Sequence, residues 1–394
     1  MQEKKKLGLI TRLVIGIVAG TILGMIGIQP ILAITATFNL LFGQLLTFTI
    51  PLIILAFITV GISEIGKGSG KYLGLLIGGF YISTIAAAYI GYFATVITQP
   101  LIVEIGGAVL YEDARPAVPS LINLTVAPIM GVMTALVFAF ILGAFIAATN
   151  KDSTLAKSFQ DFRDVVMAFV IKIIVPWLPV HIGGIFARIA WQGQAQLMFL
   201  TFGRVFLMIL VVHWAWILFH YFLVGSASKI SPFKLLKPMM GSYFMAVGTQ
   251  SSAVTLTVNL PNIKRMGVSD NAANFVAPLG ATIHLPGSTI SIVACTVAVM
   301  FLFDMPVNLT TITPFILGVS VAMVAAPGVP GGAIMASLGV LEMTLGFTDY
   351  QLALMIALYI AQDSFGTAVN VTSDGAAAIW LDRYMGNKTL DYKG

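Results

Sequence analysis

The sequence predicts an all-α polytopic membrane protein with eight transmembrane helices plus two re-entrant helical hairpins. Of its 394 residues, 58% are hydrophobic and 9% charged, whereas soluble domains carry about a quarter charged residues. The apolar residues fall in continuous runs long enough for spanning helices of about 20 residues, not in the alternation of a porin-like barrel. Two further apolar segments are interrupted at their middle by polar, Gly and Pro residues. A soluble enzyme, a disordered tail and an outer-membrane barrel are excluded.

Taken in order, the runs place spans near 9–33, 38–63, 72–98, 119–148, 163–190, 196–226, 270–303 and 349–381. Lys4, Lys5, Lys6 and Arg12 flank the first. It is too long for a signal peptide and lacks a clear small-residue cleavage site, so no cleaved leader is expected. The interrupted segments are 232–262, with Gly248-Thr249-Gln250-Ser251-Ser252 at its middle, and 310–346, with Pro327-Gly328-Val329-Pro330-Gly331-Gly332. Each has the length of two half-helices. Irregular backbone at membrane depth is tolerated where it lines a cavity, which is the geometry of a transporter site.

The net charge of +5 comes from 21 basic and 16 acidic residues, and the basic residues sit beside the apolar runs. They describe membrane flanks, and no nucleic-acid partner is expected. With the N-terminus inside, Lys67, Lys71, Lys151, Lys157, Arg163, Lys229, Lys234, Lys237, Lys264, Arg265, Arg383, Lys388 and Lys393 all fall on the cytoplasmic side. Both termini are then cytoplasmic, and the acidic loop at 100–118, Asp304 and Asp349 face outward. The single Cys295 permits neither an internal disulfide nor a CxxC metal site.

The last span carries Asp363, Thr367, Asn370 and Asp374, which share a sector of about 60° on an otherwise apolar helix. A charged side chain at the bilayer centre costs about 2.5–3.5 kcal/mol even on insertion scales. Two on one stripe call for a cation, an ammonium group or water. The bland alternative, with Asp374 solvated at the cytoplasmic end and Asp363 bonded to a neighbouring helix, does not account for all four. A carboxylate pair for intramembrane hydrolysis is a further alternative. Eleven residues of helix separate the two by about 16 Å, too far to share a proton.

In the seventh span, Pro278-Leu279-Gly280-Ala281-Thr282-Ile283-His284-Leu285-Pro286-Gly287-Ser288-Thr289 predicts a broken helix whose freed carbonyls are available to a cation. His284 reads either as a packing histidine or as a proton carrier, with a metal-ligand role ranked behind both. At the hairpin tips, Ser251, Ser252 and the Gly328–Gly332 backbone offer N–H groups and hydroxyls to a carboxylate. His181, His213, His220, the Trp214/Trp216 pair and Pro176-Trp177-Leu178-Pro179 are read as packing or interface anchors.

In order, GTQSSAVTL, PLGATIHLPGST, PGVPGGAIM and DSFGTAVNVTSD resemble the motifs of the dicarboxylate/amino acid:cation symporter family, which holds the glutamate and neutral amino acid transporters. The resemblance covers nearly the whole chain. It implies the elevator-type glutamate transporter fold and a homotrimer in the lipid bilayer, and the short N-terminus and compact loops point to a prokaryotic inner (plasma) membrane. Residues 1–71 and 119–195 would supply scaffold helices 1–2 and 4–5. Residues 72–118 would hold transport-domain helix 3 with its outer loop, and 196–394 the transport core. It further implies that Asp363 receives the substrate ammonium and that Asn370 and Ser252 take its α-carboxylate. Ser251, Ser288, Gly328, Val329, Gly331, Gly366 and Thr367 would line the same pocket. Asp374 resembles the principal sodium carboxylate, with Asn370 beside it. Carbonyls around Thr282 and His284 and at Ala325 and Ala326 resemble another sodium site, and Tyr81 and Thr84 match companion ligands on the third span.

Departures from the family pattern refine this. Acidic-substrate members carry an Arg immediately before the Thr of the last-span motif, or one at the first hairpin tip; here those positions hold Gly366 and Gln250. A side-chain carboxylate would be left buried and unpaired at a cost of several kcal/mol, so the expected substrate is a neutral amino acid. Gly366 is expected to leave space for a bulkier side chain. The family's NMDGT-type sequence is replaced by His284-Leu285-Pro286-Gly287-Ser288, and Ile85 stands where the family has Ser. Fewer sodium ions are therefore expected, with Na+ and/or H+ as coupling ions and no other cofactor. A sodium- or proton-coupled glutamate or aspartate symporter is the alternative.

Overall fold

The computed structural model describes residues 9–65, 70–103, 115–149, 153–193, 195–324, 326, 330–387, 390 and 392. Among them the regular structure is entirely helical. Helices α1 (Leu9–Ile26), α2 (Gln29–Ile65) and α3 (Gly70–Ile102) come first. The expected break between the first two spans, at 33–38, instead falls at Gly27–Ile28. Gly27 takes φ +74°, which L side chains avoid. Pro30 then lies in the first turn of α2, where its missing N–H costs nothing.

The fourth expected span, 119–148, is helical only from α4 (Val132–Ala148). Residues 115–131 run without helix and carry Pro116, Pro119 and Pro128. Side chains of α2 supply part of the pairing a helix would have given: Thr37 Oγ1 accepts from the Leu121 N–H at 2.8 Å and Gln44 Oε1 from that of Val126 at 2.9 Å. Next, α5 (Thr154–Phe169) passes through a π turn at Val170–Ile174 into α6 (Val175–Trp191). Pro176 and Pro179 follow that turn, each without an N–H to give to the helix.

After α7 (Ala195–Ser228) come two helix–turn–helix pairs. The first, α8 (Pro232–Thr249) and α9 (Ser252–Arg265), parts at Gln250–Ser251, and Gln250 takes the left-handed conformation. A broken helix, α10 (Asp270–Ile283) and α11 (Pro286–Leu302), follows. The second pair is α12 (Leu309–Val324) and α13 (Gly332–Leu345), and α14 (Asp349–Tyr384) ends the helical chain. Among the described residues six runs are long and apolar enough to cross a bilayer: Gln29–Val60, Gly74–Ile102, Thr154–Trp191, Ala195–Ser228, Asp270–Leu302 and Asp349–Tyr384. The chain is a multi-pass membrane protein.

Burial sorts these runs. Asp270–Leu302 and Asp349–Tyr384 are 94% and 89% buried over their most apolar windows, whereas Ala195–Ser228 is 28% buried. The broken helix and α14 therefore form the protein-enclosed centre, and α7 presents Leu207 and Val211 outward. Packing divides the helices in two sets: α1, α2, α4, α5 and α6 against one another, and α3 with α7–α14. The closest crossing in the first set sets Gly16, Gly20 and Gly24 of α1 on the carbonyls of Pro179, Gly183 and Ala187 in α6. Small residues at every fourth position let the two backbones touch.

A side chain on Gly20 would land on the Gly183 carbonyl. Gly20→Leu should therefore destabilise the protein by about 1–3 kcal/mol, read as a lower thermal midpoint in detergent. At Gly43, which has open space around its Cα, the same substitution should leave the midpoint near wild type.

Candidate functional site

The break between α10 and α11 is built by sequence and closed by α14. His284 and Leu285 leave helical geometry, and Pro286 opens α11 at the position where a missing N–H is tolerated. The next two N–H groups, of Gly287 and Ser288, have no partner within their helix. Asn370 supplies it: its Oδ1 accepts from Gly287 N at 2.8 Å and from Ser288 N at 3.2 Å. Its Nδ2 donates to Ser288 Oγ at 3.0 Å. Asn370 is thus a helix N-cap delivered from another helix.

On α7, His213 Nε2 sits 3.0 Å from the Gly287 carbonyl and 3.2 Å from Ser291 Oγ. Read from sequence as a mere anchor, His213 in fact holds the start of α11. The backbones of α11 and α14 meet here. A Cβ on Gly287 would strike the Gly366 carbonyl, and one on Gly366 would lie 3.3 Å from the Ser288 nitrogen. The expected vacancy at Gly366 is therefore filled by backbone, which removes the reason to expect a bulkier substrate.

Asp363 is enclosed at the tip of the second helix pair. Its Oδ2 accepts from the Gly331 N–H at 2.6 Å, and its Oδ1 from the Tyr359 hydroxyl at 2.7 Å and the Thr367 hydroxyl at 3.5 Å. Gly331 precedes α13 with φ +77°, a conformation that exposes its N–H as an anion donor. Asp363 and Thr367 are buried, as are Ser251 and Ser252 at the other tip. Ser251 caps α9, its Oγ accepting from Val254 N at 3.3 Å. Gly328, Val329 and Ala325 lie outside the described residues; Ala326 is described and buried.

About three turns along α14 from Asp363, Asp374 is fully buried with Oδ1 2.8 Å from His284 Nδ1. A carboxylate only accepts, so Nδ1 carries the proton and the opposite Nε2 meets Ser83 Oγ at 2.9 Å. The imidazole stacks on Phe80, centroids 4.3 Å apart. Asp374 Oδ2 is buried without a hydrogen-bond partner, the kind of oxygen a cation satisfies. On α3 it is Ser83 that touches His284. Thr84 is buried but bonds the carbonyl of its own Phe80 at 2.8 Å, and Tyr81 is half-buried. Thr282 is exposed, with its hydroxyl on the Leu279 carbonyl at 2.8 Å. Among the described residues no three His, Cys, Asp or Glu gather as a metal cluster.

A cavity of about 520 Å³ between α3, α7 and α14 reaches Ser83, His284 and Ser373 and is bordered by His220, Arg383 and Tyr384. Sequence reasoning missed Tyr359, Ser83 and His213 as partners of these groups. Tyr359 had a signal: it lies one turn before Asp363 on the same helical face.

Two carboxylates are thus enclosed among the apolar helices of a multi-pass membrane protein, each facing an interruption in another helix. The pattern of the sodium:dicarboxylate symporter family matches residues 9–384, and the chain belongs to that family. The serine/threonine transporter SstT of Acinetobacter baumannii (strain SDF) is 27% identical over 249 residues, 60% of this chain and 60% of its own length. SstT of Acinetobacter baylyi is 27% identical over 260 residues, 63% of this chain and 62% of its own. The chain thus spans about three fifths of the length of the curated relatives it matches.

His284→Ala should strip Asp374 of its donor and cost about 1–3 kcal/mol or more, as for a buried charged group left unsatisfied. His284→Gln, which keeps an N–H, should lose less. Thermal midpoints of the two variants in detergent check this.

Proposed function

We propose that the protein is a secondary active symporter that imports a small neutral amino acid, serine or threonine, coupled to sodium and/or protons. The observation that carries this is Asp363, a buried carboxylate on a four-residue polar stripe, with Gly366 and Gln250 where a guanidinium would be needed for an acidic side chain. An amino acid brings an ammonium group for Asp363, and charge-assisted hydrogen bonds of this kind are strong. An acidic substrate would bring a second carboxylate with no cation to meet it. The names of the two relatives support the choice of serine and threonine, and the close backbone contact at Gly366 favours such small side chains.

In this reading Asp363, Thr367, Asn370, Ser251, Ser252, Ser288, Gly331, Gly328 and Val329 form the substrate pocket. Asp374, with its free Oδ2, is the cation carboxylate, supported by Asn370, His284, Ala325, Ala326, Thr282, Tyr81 and Thr84. One positive charge moving inward contributes about 2.3 kcal/mol per 100 mV, roughly a fifty-fold concentration ratio. The helices pack in two sets, which supports a scaffold of 1–71 and 119–195 and a transport unit of 72–118 and 196–394 that move past one another as an elevator. Eight spans with two re-entrant hairpins, a homotrimer and an inner membrane with both termini cytoplasmic complete the proposal.

Purified protein in liposomes should concentrate labelled serine, and uptake should collapse when all cation gradients are removed. Turnover that persists without gradients would refute coupled transport. Asp363→Asn should abolish serine binding.

A further inference from the structure

Tyr359 stands at the head of the α14 stripe and has no part in the roles implied by the family motifs. It is fully buried, and its hydroxyl lies 2.7 Å from Asp363 Oδ1. Since a carboxylate only accepts, the phenol spends its proton on Asp363 and keeps its oxygen lone pairs for incoming donors. The Ser288 side chain is a close polar neighbour of the Tyr359 hydroxyl. Ser288 Oγ in turn accepts from Asn370 Nδ2 at 3.0 Å. Asn370 with Ser288 at one end and Tyr359 with Asp363 at the other thus make one row of polar groups. This row joins the ammonium end of the proposed pocket to its carboxylate end. An amino acid held between Asp363 and Asn370, as proposed above, would lie along this row of hydroxyl groups. Gly366, seven residues beyond Tyr359 on the same face, adds no side chain there.

We propose that Tyr359 Oη, with Ser288 Oγ, recognises the side-chain hydroxyl of the transported amino acid and gives the pocket its preference for β-hydroxy amino acids over their deoxy counterparts. The assignment rests on the Asp363 reading above. Serine or threonine donates its hydroxyl proton to the remaining lone pair on this pair of oxygens. Alanine or valine leaves that acceptor buried and unpaired, and a site built to bond a substrate hydroxyl discriminates against analogues lacking one. A side-chain carboxylate has no proton to donate and faces the charge of Asp363, so the same oxygens also disfavour acidic substrates.

The test is competition against labelled serine by serine, alanine, threonine and valine in purified wild type, Tyr359→Phe and Ser288→Ala. Wild type should prefer serine over alanine and threonine over valine by about tenfold or more, the worth of one buried hydrogen bond. Tyr359→Phe should bring both ratios close to one with alanine binding largely retained. Ser288→Ala should lower the same ratios and supplies the answer if the Phe variant does not fold. Unchanged ratios overturn the proposal, as does an equal loss for all four ligands, which would mark Tyr359 as a positioning residue for Asp363. Wild type that binds no amino acid, or Asp363→Asn with wild-type affinity, instead removes the Asp363 reading and this assignment with it.

Discussion

Two carboxylates buried on one apolar helix are the constraint around which the rest of the structure is arranged. Asp363 and Asp374 sit in the part of the chain that packing hides most completely, and each requires donors that an intact helix does not have to spare. Besides the Tyr359 and Thr367 hydroxyls of α14 itself, the donors come from places where other helices stop. Gly331 offers its N–H because α13 begins there, and His284 reaches Asp374 because α10 ends one residue earlier. The dependence is mutual, since the start of α11 has two N–H groups that Asn370 alone receives among the described contacts. Interrupting a helix inside a membrane normally costs several kcal/mol for each unsatisfied group. Here the polar stripe and the interruptions satisfy each other.

The sequence made the helical framework legible where a period or a punctuation mark was strong. The α14 stripe follows from helical spacing, and the interruptions at Gln250–Ser251 and at Pro286 follow from polar, Gly and Pro residues inside apolar runs. Hydrophobicity failed at 119–131, because it does not tell an apolar helix from an apolar extended segment whose N–H groups are taken by Thr37 and Gln44 some 80 residues away in sequence. Pro116, Pro119 and Pro128 were the better signal. The α1–α2 boundary was displaced for a similar reason: one glycine at positive φ decided it, with no change in apolar content.

Within the candidate site, residue types were legible and partners were not. Asp374 and His284 were both singled out, yet nothing in their spacing says that 90 residues close to 2.8 Å. Gly366 was read as an absence of side chain and hence as space. The fold uses that absence for backbone contact, as it does at Gly16, Gly20 and Gly24. A glycine in a membrane helix reports close approach more often than vacancy, and only the neighbouring helix decides which.

The same geometry links substrate to coupling ion in the proposed symport. Asp363, Asn370 and Asp374 ride on one continuous helix, so their separations, about 16 Å from end to end, are fixed. At one end Gly331 N–H occupies Asp363 Oδ2, and under the proposed role of Asp363 an arriving ammonium would compete for that oxygen. In that proposal, binding substrate would disturb the tip of the second helix pair. At the other end Asp374 faces the α10–α11 break, whose second half is capped by Asn370. A cation drawn to Asp374 Oδ2 acts on the same break that positions Ser288 for the substrate. Neither ligand needs to touch the other. Each biases a common set of hydrogen bonds, which is the physical content of coupling between sites.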